Sequence, residues 1–202
     1  MAIESVRLAI PKGNTEVSAL FRSLGYSLPD DFDNSRNYIV PVAGRNIEFI
    51  LAKAVDIPTY VEYGAADIGI VGKDVLLEEN RDVYELMDLG ISKGELSVWS
   101  MFAEARTIPR VATSCPKFVQ RYYRERGIQV EIIKLNGGLE LSLLTGVANC
   151  IIEVYNTETS NHLFKLEKIC TTSLRLIANR ASYQIKHSII QRLYEEMIAV
   201  RS

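Results

Sequence analysis

The chain has 202 residues, 48% apolar or aromatic and 24% charged, with 12 glycines and 6 prolines, the profile of a packed protein rather than a disordered or low-complexity one. Its 23 Lys and Arg against 25 Asp and Glu leave a net charge of -2, so no global basic field exists to hold nucleic acid or an anionic membrane. No stretch reaches the ~18 apolar residues of a bilayer crossing, and Met1 to Ile10, which carries Glu4 and Arg7, lacks the layout of an export signal; the expected compartment is the cytoplasm.

Val6 to Ile10 predicts a first strand, followed by the turn Pro11-Lys12-Gly13-Asn14 and a helix with Val17, Leu20, Phe21 and Leu24 on one face and Gly25 at its left-handed stop. Ile47 to Ala52 reads as a strand. Asp56 is the expected cap of a short helix with Pro58 in its first turn and Gly64 at its end. Ala66 to Val71 is the next strand, and Gly72-Lys73-Asp74 opens another helix with Asp74 as the expected N-cap. Val83 to Met87 and Leu96 to Met101 are strands separated by a turn at Lys93-Gly94. Val111 to Thr113 leads into a helix over Pro116 to Arg126 that Gly127 closes. Val130 to Lys134 is strand-like, and Asn136-Gly137-Gly138 turns into a helix over Leu139 to Leu144. Ala148 to Tyr155 is an apolar strand carrying Asn149 and Glu153, followed by the polar loop Asn156 to Ser160. Leu174 to Ala178 is a late strand, and Lys186 to Ala199 a closing helix with one apolar stripe. Strands alternating with helices predict an α/β protein of parallel sheets covered on both faces.

In open α/β sheets ligands collect beyond the carboxyl ends of strands, and four loops hold that position. Lys12-Gly13 precedes a helix amino terminus, where free N–H groups and the helix dipole favour an anion. Gly72-Lys73-Asp74 repeats the arrangement, which points to a polyanionic ligand, although a solvated lysine beside a capping aspartate would give the same pattern. Asn136-Gly137-Gly138 with Glu140 offers a third helix start or a plain tight turn. The loop Asn156-Thr157-Glu158-Thr159-Ser160 supplies hydroxyls and amides for a phosphate, with acidic groups nearby for ribose hydroxyls or magnesium. Cys115, Cys150 and Cys170 are far apart in sequence, lack a C-x-x-C pair and accompany only two histidines, which argues for packed, reduced thiols rather than a zinc site or disulfides.

The segments Leu8-Ala9-Ile10-Pro11-Lys12-Gly13, Phe49-Ile50-Leu51-Ala52-Lys53, the long run Asp56 to Asp74, Arg110-Val111-Ala112-Thr113 and Ile132-Ile133-Lys134-Leu135-Asn136-Gly137 together resemble the ATP phosphoribosyltransferase family in its short form. The resemblance implies two lobes like those of type 2 periplasmic binding proteins with an interlobe active-site cleft, the first taking residues 1–95 with 179–202 and the second 96–178. It implies transfer of a phosphoribosyl group from phosphoribosyl pyrophosphate to N1 of ATP, the first step of histidine biosynthesis, with Mg2+ accompanying the phosphorylated substrates. It also implies a hetero-oligomer with a regulatory subunit related to histidyl-tRNA synthetase, or a homo-oligomer. By position in the family pattern, Lys12, Gly13, Arg36 and Lys53 face the nucleotide or pyrophosphate, with Lys12, Arg36 and Lys53 stabilising charge and no side chain acting as nucleophile. Gly72, Lys73 and Asp74 line the same side, and Glu140, Glu153, Thr157, Glu158, Thr159 and Ser160 surround the ribose 5-phosphate.

Against the family pattern, Asn14 stands where Arg is usual, Asn149 and Glu153 where Asp is usual, and Glu158 where Gly is usual. A catalytically impaired paralogue serving as a nucleotide-binding or regulatory subunit is the alternative that Asn149, Glu153 and Glu158, all in one strand and its loop, raise. A carboxylate beside a phosphate is repulsive, and a side chain at a glycine position limits close approach of the backbone. Glu158→Gly is therefore expected to lower the dissociation constant for phosphoribosyl pyrophosphate in calorimetric titration, and an unchanged or higher value would place Glu158 away from the phosphate.

Overall fold

The structure, a computed structural model, describes residues 5–103, 109–155 and 162–201. The chain divides into two compact units, one of residues 1–76, 80–92 and 174–202, the other of residues 77–79 and 93–173.

In the first unit, β1 (Val6–Pro11), α1 (Thr15–Ser23), β2 (Ile39–Pro41), β3 (Ile47–Ala52), α2 (Ile57–Glu62), β4 (Ile68–Gly72), α3 (Lys73–Glu79) and β5 (Tyr84–Asp88) follow in order. The last turn of α3 counts with the second unit. That unit holds β6 (Gly94–Ser100), β7 (Arg110–Thr113), α4 (Pro116–Glu125), β8 (Glu131–Lys134), α5 (Leu139–Leu144), β9 (Cys150–Tyr155) and β10 (Phe164–Thr172). The chain then returns to the first unit with β11 (Leu174–Ala178), α6 (Arg180–Ile185) and α7 (His187–Arg201). Among the described residues the strands form one sheet in the order β2-β3-β1-β4-β11-β5 and a second in the order β10-β6-β9-β7-β8.

Both sheets are mixed, which corrects the expectation of parallel ones. β1 pairs parallel with β3 and β4, but β2 and β11 pair antiparallel with their neighbours. In the second sheet β7 is parallel to β8 and β9, whereas β6 is antiparallel to β9 and β10. Strand direction depends on how the chain returns, and local periodicity does not encode it. β11, which the sequence boundary at residue 178 assigns to the second lobe, lies between β4 and β5 in the first sheet. β5 and β6 are consecutive in sequence yet belong to different sheets, so the Lys93-Gly94 segment is no hairpin turn.

Each sheet is covered on both faces, as expected. Val6, Leu8 and Ile10 of β1 pack into a core with Val17 and Phe21 of α1 and Ile190, Leu193 and Met197 of α7. Ala9, between them, faces the opposite core with Ile57 and Val61 of α2, the two-residue alternation of a strand. Phe21 and Phe49 meet edge to face at 4.8 Å. In the second sheet Val111, Cys150 and Ile152 face Val119, Tyr122 and Tyr123 of α4, and Ala112, Ile151 and Trp99 face Leu139 and Leu143 of α5. Burial raises the pKa of the Cys150 thiol, so this cysteine packs as a neutral apolar group.

Asp56 holds the N-cap position of α2 as expected, without a side-chain cap bond, because residues Ala54–Asp56 form a 3-10 turn that runs straight into the helix. The N-cap of α3 is Gly72 rather than Asp74. Conversely, Asn179 serves two helices: its Oδ1 accepts from Ser182 N at 2.9 Å at the start of α6, and its Nδ2 donates to the Val61 and Glu62 carbonyls at the end of α2.

Gly69 fixes the approach of α2 to the sheet. A Cβ at this position would stand 2.8 Å from methyls of both Ile57 and Val61, closer than packed carbons tolerate. Gly69→Ala is expected to lower stability by about 1–3 kcal/mol through overpacking, read as a lower urea midpoint at unchanged slope; an unshifted midpoint would mean that α2 yields.

Candidate active site

The register of three adjacent parallel strands places the sequence-predicted residues of the first unit. Pro11 of β1 pairs with Ala52 of β3, and Leu8 and Ala9 pair with Ile68 and Gly69 of β4. The three strands therefore end at one level, and Lys12, Lys53 and Lys73 follow within two residues of those ends. Lys12 N donates to Ala52 O at 2.9 Å, one rung beyond the ladder. The chain then turns at Gly13, whose φ of +77° is open to glycine and strained for other residues. Asn14 caps α1, its Oδ1 accepting from Val17 N at 3.1 Å.

Arg36 lies in the loop ahead of β2, two residues before Tyr38. Tyr38 O accepts from Leu51 N at 2.8 Å, which joins this loop to the carboxyl end of β3. The Tyr38 ring lies beneath the Lys12 ammonium, 5.2 Å from Nζ to the centroid. Lys12, Arg36 and Lys53 are all exposed, and among the described residues none of them forms an ion pair. Three uncompensated cations at the carboxyl edge of parallel strands make a local positive field that the net charge conceals.

Lys73 and Asp74 are differently engaged. Lys73 Nζ donates to Glu85 Oε2 at 2.6 Å, and Glu85 also meets Arg175 at 3.4 Å. The Asp74 carboxylate folds back over the start of α3 and accepts from its own backbone N–H and that of Val75. It thereby takes the amides that an external anion would use, and it lies so close to Gly72 that a Cβ there would collide with Oδ1. Burial of the half-buried carboxylate outweighs these two bonds and raises its pKa.

The other unit carries the remaining sequence-predicted residues. Glu140, in the first turn of α5, accepts a hydrogen bond from Tyr155 Oη at 3.0 Å at the end of β9. Burial and the Glu140 carboxylate raise the Tyr155 pKa, so the phenol is a permanent donor. Its ring meets Trp99 edge-on at 5.3 Å. Glu153 is half-buried on β9, opposite Ser97 of β6. Thr157, Glu158, Thr159 and Ser160 lie outside the described residues. Asn149 does not join this group: it sits at the other end of β9, its Oδ1 accepting from Arg110 N at 2.6 Å and its carbonyl from Ser100 Oγ at 2.9 Å. Sequence reasoning misses Tyr38 and Tyr155, whose roles depend on neighbours that only the folded chain supplies.

Two α/β units with mixed sheets and loops at strand ends define the periplasmic-binding-protein class of fold. The aliphatic sulphonate binding protein SsuA of Escherichia coli shares it, with a TM-score of 0.59 over 97% of this chain and 72% of that one at 13% identity. Here the first unit carries exposed cations at the carboxyl ends of β1 and β3, and the second carries Glu140 on α5 and Glu153 on β9. The model of the ATP phosphoribosyltransferase family matches residues 53–199, and the chain belongs to that family. It is 47% identical over 197 residues to an ATP phosphoribosyltransferase of Bacillus licheniformis, covering 94% of this chain and 92% of the relative. It is likewise 47% identical to that of Geobacillus kaustophilus, covering 96% and 97%. Among solved structures, the ATP phosphoribosyl transferase (HisG:HisZ) complex from Thermotoga maritima contains a chain that matches with a TM-score of 0.80 at 27% identity, over 96% of this chain and 98% of that one.

A raised Asp74 pKa means that ionisation of this carboxylate opposes folding, a cost absent below the unfolded-state pKa and complete above the folded one. The stability of Asp74→Asn relative to the parent is therefore expected to rise as pH climbs through the carboxylate range and to level off near neutrality. A difference independent of pH in urea titrations at pH 3.5 to 7 would contradict this.

Proposed function

We propose that the chain catalyses transfer of the phosphoribosyl group of phosphoribosyl pyrophosphate to N1 of ATP, giving phosphoribosyl-ATP and pyrophosphate. The observation that supports this most is that Lys12 and Lys53 follow directly on the paired ends of β1 and β3, with Arg36 in the loop whose Tyr38 ring lies under Lys12, all three exposed and without ion pairs among the described residues. Membership of the family and 47% identity to enzymes of that name support the same reading.

The reaction needs no nucleophilic side chain. The N1 lone pair forms the new bond to the anomeric carbon while the bond to the pyrophosphate oxygen breaks and its electron pair leaves with pyrophosphate. Negative charge grows on that leaving group. Fixed cations facing it lower the barrier without reorganising, and each such preorganised group contributes about 10²-fold in rate. Lys12, Arg36 and Lys53 take that role, with Gly13 allowing close backbone approach. Gly72, Lys73 and Asp74 line the nucleotide side as a prearranged wall whose charges are already partly engaged.

On the sugar side, Glu140 and Glu153 accept from ribose hydroxyls, and Thr157, Glu158, Thr159 and Ser160 surround the 5-phosphate. Mg2+ enters as the counter-ion of the polyphosphate substrates: among the described residues no group of three His, Cys, Asp or Glu could hold a metal, and an ion coordinated largely by phosphate oxygens needs none. The Thermotoga relative occurs in a HisG:HisZ complex, which supports a separate regulatory subunit as partner here. Among the described residues no helix is long and apolar enough to cross a membrane, in keeping with a cytoplasmic biosynthetic enzyme.

The test is formation of phosphoribosyl-ATP by the purified chain with its regulatory subunit, ATP, phosphoribosyl pyrophosphate and Mg2+. Lys53→Met is expected to reduce kcat/KM about 10²-fold, with Lys53→Arg recovering part of the loss. Turnover by the Met variant at the parental rate would remove Lys53 from the charge-stabilising set, and no product from the parent under any ratio of subunits would reject the function.

A further inference from the structure

β6 and β9 run antiparallel with Ser97 directly opposite Glu153. Opposed residues of such a pair share a face. Leu96, Val98, Cys150 and Ile152 point into the α4 core, whereas Trp99 and Ile151 point into the α5 core. Ser97 and Glu153 therefore stand together on the α5 side, with Tyr155 and its bond to Glu140 two residues further along β9.

Ser97 is fully buried, and its Oγ has no hydrogen-bond partner among the described residues. An unsatisfied buried hydroxyl opposes folding, and native structures hold few of them. An alanine would fill the site without that cost. The group that faces Ser97 across the strands is a carboxylate, whose two oxygens accept about four hydrogen bonds in all.

We infer that Ser97 is a positioning residue for Glu153 in sugar recognition, an inference that rests on the reading of this face as the phosphoribosyl site. A ribose hydroxyl donates to one oxygen of Glu153, and Ser97 Oγ donates to the other, holding the carboxylate in the orientation that the sugar requires. The Ser97 bond forms with the sugar and is missing without it, so its energy appears in affinity rather than in the stability of the free protein. A hydroxyl bonded to a carboxylate is charge-assisted and stronger than a neutral pair, which suits it to fixing one rotamer of a long side chain.

Ser97→Ala separates this role from a merely structural one, because the two move stability and affinity differently. The dissociation constant for phosphoribosyl pyrophosphate with Mg2+, measured by calorimetry, and its KM are expected to rise about tenfold. The KM for ATP should stay within about twofold, and the Tm of the free protein should hold or rise because the orphan hydroxyl is gone. Ser97→Thr, which keeps the hydroxyl, should restore most of the affinity. In a Glu153→Ala background, Ser97→Ala should have no further effect, the signature of two residues acting as one unit. Parental affinity in Ser97→Ala, or an undiminished effect in the Glu153→Ala background, overturns the inference alone. A parent chain that binds no phosphoribosyl pyrophosphate overturns it together with the functional reading.

Discussion

The parallel pairing of β1 with β3 on one side and β4 on the other is the constraint on which the first unit's chemistry depends. It brings three loops, from distant parts of the sequence, to a single level. A parallel strand pair cannot close with a two-residue turn and needs a crossover, so α1 and α2 are the price of that alignment and also the cover of the sheet's two faces. Gly69 and Gly13 permit its two tightest features, the close seat of α2 and the turn out of β1. Side chains that bear charge then need only follow the last strand residues to converge.

Charge at this edge is arranged by contrast. Lys73, Arg175, Glu85 and Asp88 neutralise one another on the β4-β11-β5 side, and Lys186 pairs with Asp67 at the opposite end of β4. Lys12, Arg36 and Lys53 are left out of that pairing among the described residues. An exposed ion pair contributes little to stability, so leaving these three without partners costs the fold little while preserving their field for an anionic ligand. The second unit uses the reverse device: Glu140 and Glu153 present acceptors, and Tyr155 orients the former through a donor that cannot ionise at working pH.

Elements whose residues combine an apolar run with a clear stop are legible in the sequence, and β3, β11 and α5 match it residue for residue. β10 is not legible, because Lys165, Glu167 and Lys168 interrupt it and two register shifts against β6 break its alternation; charges on an edge strand block further pairing. β2 is three residues long and α6 buries no residue, so neither leaves a periodic trace. Of the site, Lys12 with Gly13 is readable as loop chemistry, and Arg36 and Lys53 only through the family pattern. Tyr38, Tyr155 and Ser97 are invisible at that level, since each matters through a residue that only the fold brings beside it: Lys12, Glu140 of α5, and Glu153 opposite on β9.

The two asparagines that depart from the family pattern in described parts of the chain each have a structural occupation. Asn14 accepts from Val17 N and caps α1, a role worth about 1 kcal/mol that an arginine, with no acceptor atom, cannot fill. The chain has exchanged one cation for a firmer helix start at the turn that carries Lys12, and three other cations still meet at that edge. Asn149 ties the start of β9 to Arg110 at the start of β7; an aspartate could accept the same hydrogen bond, so the change leaves the strand pairing intact. It stands six residues from Tyr155, about 20 Å along an extended strand, too far to touch a ligand bound at the other end. Neither asparagine therefore argues for lost chemistry, and Asn149 stands apart from Glu153 and Tyr155 at the opposite end of its strand.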